Sequence, residues 1–463
     1  MSNRFDVPSA RPQASQVAEH LHEWIIGNGA GGGSRLPSIR QLTRQLNVGR
    51  NAVIEAYEQL VAQGLVRSRP GSGFFVADNP AQQARETSPV SLAEVTSDSW
   101  RLFEQDDQGL KLGCGWLPDS WREMDDLAYA IRSVTRRSRA DILDYSSPMG
   151  TPLLRGLIQE RIRMLGVEAD ANQILLTGGG SHALDLLVRL LVQPGDTVLV
   201  ESPGYYNLIG LLRLQRANII GVPRLAGGPD VEQLEVLLQR HRPRLLFTNT
   251  VFQNPTGTTL TASVAHRVLQ LAERHDVQVV EDDIYADFQH TPTPRLAALD
   301  GLQRVIYIGS FSKSLSCSLR VGFIAARPEL LRTLVDIKML TSISSPRFAE
   351  QVLATMLQNG SYRKLVERLR VRLANQMAAT LVLLRHAGWE IFAEPAGGMF
   401  IWARFPGAAS SHQLVSNAHK AGIRLSPGQV FMPDNNDSPW LRINVAYADD
   451  QRAIDFLTNP LGD

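Results

Sequence analysis

Short apolar runs that alternate with longer amphipathic segments dominate the middle of the chain. The runs are rich in β-branched and other apolar residues, and they cover residues 174–177, 197–200, 245–248, 277–280, 305–308 and 321–325. Most of the segments between them are long enough for an amphipathic helix. Because parallel neighbours in a sheet need a crossover connection, this alternation favours an α/β fold with an open, mainly parallel sheet.

The residues after Pro328 follow a different pattern. Long helical stretches come first, and residues 389–459 then contain short strand and helix patterns, which predict a smaller α+β lobe. We therefore predict one domain over residues 109–463, with a large lobe at about 120–327 and a small lobe at about 328–463. Of the 463 residues, 44% are hydrophobic and 20% are charged, which is typical of a soluble globular protein with large buried cores.

The first 77 residues predict a separate, smaller unit. Apolar spacing and flanking glycines indicate helices over residues 15–26, 37–46 and 50–63, followed by strands over 65–69 and 74–77. Three helices followed by a β-hairpin are the plan of a winged helix-turn-helix domain. Residues 78–108 have little apolar periodicity, and we interpret them as a linker between this unit and the domain that follows.

The charge of the first unit differs from that of the whole chain. The chain has 47 Lys plus Arg and 46 Asp plus Glu, so its formal charge of +1 creates no global attraction to nucleic acid or membrane. From Ser34 to Val76, however, six arginines stand against two glutamates, a local excess of +4. Arginine can bind a phosphate or a guanine edge through two hydrogen bonds. The excess predicts a DNA-binding surface, and the alternative is a solvated basic face on a protein–protein module.

The same unit also carries family motifs. Leu-Pro-Ser, AYxxL, QGL and GSGxxV occur in order within residues 35–76, and this segment resembles the GntR-type DNA-binding domain. The resemblance implies that the contacts to double-stranded operator DNA come from Arg40, Arg50, Asn51 and Gly73. Arg50 and Asn51 begin the third helix, and this end of a recognition helix usually enters the major groove. Gly49 and Ile54 depart from the residues usual in the family, so the operator preference can differ.

One lysine of the α/β part has neighbours that suit covalent chemistry. Lys313 follows a predicted strand, and Ser310, Ser312 and Arg320 lie close to it in the sequence. A lysine amine can form a Schiff base with a carbonyl compound, while hydroxyls and an arginine can bind a phosphate. A lone lysine is usually a surface residue, but these neighbours favour a Schiff-base site beside a phosphate.

A glycine-rich turn predicts the second half of this phosphate site. Thr-Gly-Gly-Gly-Ser at residues 177–181 lies between a predicted strand and a predicted helix. Small residues let an anion approach the backbone, and the first turn of a helix offers unpaired N–H groups. We therefore expect Gly179, Gly180 and Ser181 to contact the phosphate, although such a turn alone would often be only a tight connection.

Three strand-end motifs supply groups that suit a pyridine ring. In EDDIY, Asp282 can pair with a protonated ring nitrogen, with Asp283 as the alternative, and Tyr285 can donate to the ring's phenolic oxygen. In QNPTG, Asn254 can donate to the same oxygen. In ESPGYY, Tyr205 can stack on the ring, although a tyrosine of the core or the surface is the ordinary interpretation.

Arg442 is the last candidate residue, because its planar guanidinium suits the carboxylate of a substrate. Without the other motifs, the ordinary interpretation of Arg442 is a salt-bridge residue. Together the motifs resemble the fold-type I aminotransferases from about residue 110 to the end. The resemblance implies pyridoxal 5′-phosphate as cofactor, with Lys313, Asp282 and Tyr285 as catalytic residues and Arg442 as the α-carboxylate site. It also implies that Tyr145 reaches the phosphate of a neighbouring subunit, so we expect a homodimer.

A GntR-type unit, a linker and an aminotransferase-like domain in this order resemble the MocR-type regulators. We therefore expect a transcriptional regulator that senses an amino compound, or the cofactor itself, through an imine at Lys313. The alternative is an active aminotransferase, converting an amino acid to a 2-oxo acid, with an appended DNA-binding domain. Both hypotheses need the same residues, so the question of enzymatic activity stays open.

The remaining features concern the compartment. The amino-terminal residues have no apolar core of the kind a secretory signal needs, and no apolar run reaches about 18 residues, the length of a transmembrane helix. The two cysteines cannot make a disulfide framework, and reduced thiols are the simple interpretation. We expect a cytoplasmic protein without a membrane partner or a metal site.

Overall fold

The computed structural model describes residues 13–27, 33–62, 65–69, 72–77, 109–122, 124–137, 143–291 and 293–462. The chain divides into two compact units, Met1–Ser91 and Leu92–Asp463. The predicted linker, residues 78–108, lies outside the described residues, and the predicted domain and lobe boundaries stay predictions. No helix in the described ranges is long and apolar enough to cross a membrane.

The first unit has the predicted order of three helices and a hairpin. Its elements are α1 (Gln13–Gly27), α2 (Ile39–Leu46), α3 (Arg50–Ala62), β1 (Val66–Arg69) and β2 (Gly73–Val76). Helix α2 begins with a capping box, because the Ser38 hydroxyl accepts from the Gln41 N–H while the Gln41 side chain accepts from the Ser38 N–H. The ring of Tyr57 on α3 stacks on Phe74 of β2 with centroids 4.0 Å apart, which fixes the antiparallel hairpin against α3.

The second unit is built on an eight-stranded sheet. Its strands are β3 (Ile174–Thr177), β4 (Thr197–Ser202), β5 (Asn218–Leu225), β6 (Gly228–Pro229), β7 (Leu245–Thr248), β8 (Gln278–Asp282), β9 (Val305–Ser310) and β10 (Gly322–Ala325). They lie in the order β3-β10-β9-β8-β7-β4-β5-β6. Neighbours from β9 to β5 are parallel, whereas β10 is antiparallel to both β3 and β9. The sheet is therefore mixed, with a parallel centre.

Helices cover both faces of this sheet and continue into the rest of the unit. They are α4 (Met124–Arg137), α5 (Pro152–Arg163), α6 (Gly180–Leu191), α7 (Tyr206–Leu214), α8 (Val231–His241), α9 (Ala262–Arg274), α10 (Leu296–Asp300), α11 (Pro328–Ser342), α12 (Arg347–Gln358), α13 (Ser361–His386), α14 (Ser411–Lys420) and α15 (Gln451–Thr458). Successive strand residues enter different cores: Leu175 and Val280 pack in one, and Leu176 and Val279 in the other. Burial on both faces explains why the strands are almost uninterrupted apolar runs.

The predicted α+β lobe contains a three-stranded antiparallel sheet. Its strands are β11 (Glu390–Ile391), β12 (Phe400–Arg404) and β13 (Leu441–Asn444), with β12 in the centre. Trp402 of β12 pairs with Arg442 of β13, and both side chains are buried. The small sheet therefore carries Arg442 on a rigid element.

Candidate functional site

Lys313 lies in the loop that follows β9 and returns to the sheet as β10. Its Nζ donates a hydrogen bond to the carbonyl of Gly115 at 2.6 Å. Burial lowers the pKa of the Lys313 amine, and the nearby Arg442 guanidinium lowers it further. A lowered pKa leaves more of the amine neutral and nucleophilic near pH 7. The predicted Schiff-base residue therefore has an environment that activates it.

Asp282 ends β8, and the adjacent Asp283 differs from it in its partners. The Asp283 carboxylate forms an ion pair with Arg295 at 2.9 Å and accepts a hydrogen bond from the Tyr307 hydroxyl at 2.6 Å. Asp282 accepts a 3.3 Å hydrogen bond from the Ile284 N–H, and it forms no ion pair with the described residues. Burial raises the pKa of Asp282 to about 7. Of the two alternatives, Asp282 is the one whose charge still lacks a partner.

A pocket lies at the carboxyl ends of β4, β7 and β8. Its empty volume is about 460 Å³ when the part open to solvent is counted. Predicted residues that line it are Tyr205, Asn254, Asp282 and Tyr285. The carboxyl edge of parallel strands is where α/β proteins usually bind ligands.

Asn249, which the sequence analysis missed, holds two of the lining residues in place. Its Nδ2 donates to the backbone carbonyl of Asp282, and its Oδ1 accepts from the Asn254 N–H at 2.9 Å. Asn249 directly follows the buried strand β7, so a polar residue at a strand end was the available signal.

The two halves of the predicted phosphate site lie together. Arg320 donates through Nη2 to the carbonyl of Gly178 at 3.0 Å and through Nη1 to the Ser312 hydroxyl at 3.3 Å. The Ser310 hydroxyl accepts from the Ser312 N–H at 3.2 Å. Gly179 has a φ of +87°, and a Cβ at this position would lie 2.6 Å from Arg320 Nη2. The positive φ favours glycine at this position, since the end of the arginine side chain could move away from a Cβ.

The helix that follows this turn and the neighbouring tyrosine complete the arrangement. Helix α6 begins at Gly180, and its first N–H groups suit an anion. The Ser181 side chain hydrogen-bonds to Tyr205, whose hydroxyl also accepts from Asn207 Nδ2 at 3.0 Å. Burial raises the pKa of Tyr205, so the phenol stays neutral near pH 7.

Tyr285 is buried in the wall of the same pocket. Its ring packs edge-to-face against Phe400 with centroids 5.5 Å apart. Burial raises the pKa of the Tyr285 phenol well above its usual value. The hydroxyl therefore stays protonated and can donate a hydrogen bond, as the predicted role requires.

Arg442 is a buried cation whose partners are all neutral. Its Nε and Nη2 donate to the carbonyl of Gly113 at 3.2 and 2.7 Å, and its Nη1 donates to Asn254 Oδ1 at 2.7 Å. The guanidinium lies 4.8 Å from the ring centroids of both Phe400 and Phe431. Among the described residues, no carboxylate forms an ion pair with it. Because a buried charge is costly without a counter-ion, this position suits an anionic ligand.

Tyr145 does not line the pocket, and the same holds for Lys313, Arg442 and the predicted phosphate-binding residues. It lies on the segment before α5, and the residue is 73% exposed. The segment is fixed nearby, because Glu350 accepts hydrogen bonds from the Ser146 hydroxyl at 2.7 Å and the Thr151 N–H at 2.9 Å. The predicted contact with another subunit stays a prediction.

The predicted DNA contacts lie on the surface of the first unit. Arg40 is exposed on α2, and Arg50 and Asn51 are exposed at the start of α3. Gly73 begins β2 with a φ of +107°, and the Arg35 guanidinium lies 3.9 Å from the position of a Cβ there. Arg35, whose role the sequence did not single out, therefore adds a cation near the turn of the hairpin.

Comparisons with known proteins match both units. Residues 13–76 match the bacterial regulatory proteins of the gntR family, and residues 107–457 match the aminotransferase class I and II family. The chain is 31% identical to the probable rhizopine catabolism regulatory protein MocR of Rhizobium meliloti, over 91% of this chain and 87% of that protein. The chain belongs to the MocR-type transcriptional regulators. The predicted combination of a winged helix-turn-helix unit and a fold-type I aminotransferase-like domain is thereby confirmed.

The aminotransferase part of this MocR-type regulator also resembles enzymes. It is 34% identical to a 2-aminoadipate transaminase of Thermus thermophilus, over 70% of this chain and 82% of the enzyme. A solved structure of Pyrococcus horikoshii kynurenine aminotransferase, in complex with PMP, superimposes with a TM-score of 0.76 at 26% identity, covering 82% of this chain and 96% of that one. These two enzymes match 70% and 82% of this chain, whereas the MocR protein of Rhizobium meliloti matches 91% of it.

Proposed function

We propose that this regulator binds pyridoxal 5′-phosphate and responds to an amino compound that carries a carboxylate. The observation that carries the proposal is the buried Arg442, whose partners are neutral and whose Nη1 donates to Asn254, a lining residue of the pocket that also contains Asp282. Lys313 lies near both Arg442 and Asp282, because the charges of both affect its pKa. An amine and a carboxylate on one small molecule would suit the lysine side and the arginine side of this site. The solved relative in complex with PMP, the amine form of the same cofactor, supports the choice of cofactor.

The residues present fit this cofactor. When bound, pyridoxal 5′-phosphate supplies an aldehyde that condenses with amines and a ring that withdraws electrons. Lys313 offers an amine of lowered pKa, and Asp282 offers an unpartnered carboxylate for the ring nitrogen. Asn254 and Tyr285 offer donors for the phenolic oxygen, and Tyr205 offers a ring face. The phosphate donors are Gly179, Gly180, Ser181, Ser310, Ser312 and Arg320.

A homodimer would bring Tyr145 to the phosphate of the partner subunit. Exposed apolar residues lie near Tyr145 in the sequence, at the start of α5, and in or just after the last turn of α11: Leu143, Leu153, Met339, Leu340 and Ile343. Leu340 is 88% exposed, which is unusual for a large apolar residue on a helix. This cluster of exposed apolar residues supports a protein–protein interface. A second copy of this chain would be the partner, because Tyr145 is expected to contact the phosphate of another subunit.

The first unit would bind the operator, with Arg40, Arg50, Asn51 and Gly73 at the contact. Their exposure on α2, on the start of α3 and on the hairpin supports this role. Two winged units in a dimer would favour paired half-sites. Effector binding in one unit would then change DNA affinity in the other.

Catalytic turnover is the alternative, and the 34% identical transaminase is the observation in its favour. It is tested by incubating the loaded protein with an amino acid and a 2-oxo acid. Many product molecules per protein would favour an enzyme, whereas at most one equivalent would favour a sensor.

The direct test of the proposed cofactor site uses Lys313→Ala. Wild-type protein loaded with pyridoxal 5′-phosphate should be yellow, and borohydride reduction should attach the cofactor to the peptide that contains Lys313. The variant should lose both the yellow colour and the labelled peptide, while the residues that bind the phosphate still retain some cofactor. Lys364→Ala, which removes an exposed lysine of α13, is the matched control. Reduction that labels another lysine in wild type would overturn the assignment.

A further inference from the structure

A buried carboxylate contacts the loop that carries Lys313. Asp287 belongs to the segment that follows β8, shortly after Asp282, and it is 4% exposed. Its Oδ2 accepts a hydrogen bond from the hydroxyl of Ser314 at 2.6 Å, and Ser314 directly follows Lys313 in the chain. Asp287 therefore connects the loop of the proposed Schiff-base lysine with the segment that carries Asp282 and Tyr285.

Tyr362, in the first turn of α13, joins this pair. Its hydroxyl donates to Asp287 Oδ2 and lies 2.6 Å from the Ser314 hydroxyl, so three polar groups meet at one point. Burial raises the pKa of the Tyr362 phenol, which therefore stays protonated near pH 7 and can donate. Arg370, later in α13, donates to the backbone carbonyl of Asp287 at 2.7 Å. Because a buried polar group without a partner is costly, these contacts favour one fixed arrangement.

An arginine supplies the counter-charge of this cluster. Arg161 of α5 forms an ion pair with Asp287. Its guanidinium also lies 5.1 Å from the ring centroid of Tyr362 and 5.7 Å from that of Phe311, close enough for a cation–π contact. Phe311 precedes Lys313 by two residues. The contacts of the cluster therefore hold the loop before the lysine as well as after it.

We propose that Ser314, Asp287 and Tyr362 are positioning residues for Lys313. They fix the loop so that the lysine amine meets the cofactor aldehyde in the geometry that covalent attachment requires. In that reaction the amine nitrogen adds to the aldehyde carbon, and both protons of the neutral amine leave with the aldehyde oxygen as water. None of the three residues lines the pocket that contains Asp282, so they act through the lysine. The inference rests on the proposed function and adds the residues that orient its lysine.

Ser314→Ala tests the proposal, because it removes one hydroxyl from the cluster and leaves the charges in place. Full-length cofactor-free protein is mixed with pyridoxal 5′-phosphate, and the second-order rate constant for the rise of visible absorbance is measured against pH. The plateau at high pH should fall about tenfold or more, since a misplacement of about 1 Å can cost about 100-fold in rate. The midpoint should equal that of wild type, because burial and Arg442, which lower the pKa of Lys313, are unchanged.

A second readout separates positioning from general damage. Pyridoxine 5′-phosphate has the ring and the phosphate of the cofactor, but an alcohol replaces the aldehyde, so it binds without attachment to Lys313. Its dissociation constant for Ser314→Ala should equal that for wild type. Ser318→Ala, which changes an exposed serine of the same loop, is the matched control and should leave both quantities unchanged. Equal losses of attachment rate and pyridoxine 5′-phosphate affinity in Ser314→Ala would overturn the inference.

Tyr362→Phe removes the second hydroxyl and gives the same test, so the inference does not depend on the folding of Ser314→Ala. Its plateau rate should also fall about tenfold, with unchanged affinity for pyridoxine 5′-phosphate. Side chains in one hydrogen-bond network have non-additive effects. The double variant should therefore attach the cofactor about as slowly as the slower single variant. A rate lowered by the product of the two single losses would contradict a shared cluster.

Wild-type protein distinguishes the two levels of the argument. If it attaches no pyridoxal 5′-phosphate to Lys313, the proposed function fails. If wild type attaches the cofactor there, and Ser314→Ala and Tyr362→Phe attach it at the wild-type rate, the proposed function stands and the inference about the cluster is wrong.

Discussion

Arg442 Nη1 donates a hydrogen bond to Asn254 Oδ1 over a distance of 2.7 Å. Because arginine has only donors, this bond fixes the amide with its oxygen toward Arg442 and leaves Nδ2 for another acceptor. Asn254 also lines the pocket, and its backbone N–H is held by Asn249. One side chain thus connects the proposed carboxylate site with the proposed ring site.

Asn254→Asp tests this connection. The aspartate can still accept from Arg442, but its negative charge would neutralise the buried guanidinium and its Oδ2 cannot donate to the ring oxygen. The probe is aminooxyacetate, which carries a carboxylate and an aminooxy group that reacts with the cofactor aldehyde. We expect aminooxyacetate to react about tenfold or more slowly with the loaded variant, in line with a lost charged hydrogen bond. Asn249→Asp is unsuitable as a control because it disturbs the same pocket. Asn218→Asp, which changes an exposed asparagine at the start of β5, is used instead. An unchanged rate in Asn254→Asp would contradict the connection.

The pKa of Asp282 predicts how the cofactor-free protein depends on pH. Burial raises this pKa from 3.8 to about 7, so the folded protein favours the protonated acid. The unfolded chain releases the proton first as the pH rises, and stability falls between about pH 4 and pH 7. Asp282→Asn should therefore raise the unfolding temperature of the cofactor-free protein at pH 8 and have little effect at pH 4. With pyridoxal 5′-phosphate bound, the increase in unfolding temperature that Asp282→Asn causes at pH 8 should become smaller or change sign. Equal effects at both pH values would argue against an unpartnered carboxylate.

The lowered pKa of Lys313 makes a prediction about cofactor capture. The neutral amine reacts, so the rate of capture should rise with pH and level off below the usual lysine range. Arg442→Gln removes a cation that lowers this pKa, and the midpoint should move to higher pH. The matched control is Arg332→Gln, on the exposed face of α11. If the midpoint of Arg442→Gln equals that of Arg332→Gln, Arg442 does not influence the pKa of Lys313.

Parts of this site follow from the sequence, and parts do not. The apolar runs predict the central strands because both faces of the sheet are buried. Strand β5 is not predicted from the sequence because Gly221 and Pro223 interrupt its apolar pattern. A proline donates no backbone hydrogen bond to a neighbouring strand, so it argues against a strand in the interior of a sheet. The choice between Asp282 and Asp283 depends on Arg295 and Tyr307, which the fold brings in from later segments.

The roles of Asn249 and Tyr362 depend in the same way on distant segments. Tyr362 meets Ser314 and Asp287 only after the chain has folded, and nothing in its neighbouring sequence marks the contact. Asn249 is similarly a single polar residue until β7 and β8 lie side by side. Local motifs therefore predict the groups that carry charge, and tertiary contacts reveal the groups that orient them.

Leu340→Asp tests the proposed subunit interface. Leu340 is 88% exposed near the end of α11, and burying a charge in an apolar interface is costly. The variant should be monomeric in sedimentation velocity at concentrations where wild type is dimeric, and its cofactor affinity should fall because the partner's Tyr145 is lost. Leu225→Asp changes an exposed leucine of β5, toward the opposite edge of the sheet, and should leave the dimer intact. A dimeric Leu340→Asp protein would contradict this interface.

Arg50→Ala tests the proposed recognition helix. If Arg50 reads a base edge, its loss should weaken operator binding by about 1–3 kcal/mol and relax the preference at one position. The operator is first obtained by selecting from random DNA with the wild-type protein. Arg136→Ala makes the same charge change on α4 of the other unit and should not alter binding. A uniform loss across all DNA sequences would instead assign Arg50 to a phosphate.

The central claim is that an amino compound with a carboxylate, bound at Lys313 and Arg442, changes the affinity for DNA. The most direct measurement is the dissociation constant of the selected operator for the loaded full-length protein, with and without saturating aminooxyacetate, in wild type and in Arg442→Gln. We predict a change within the usual range of about 5–150-fold for allosteric coupling in wild type, and none in Arg442→Gln, which should stay yellow and bind DNA like the free wild type. Identical dissociation constants with and without aminooxyacetate in wild type would contradict the account.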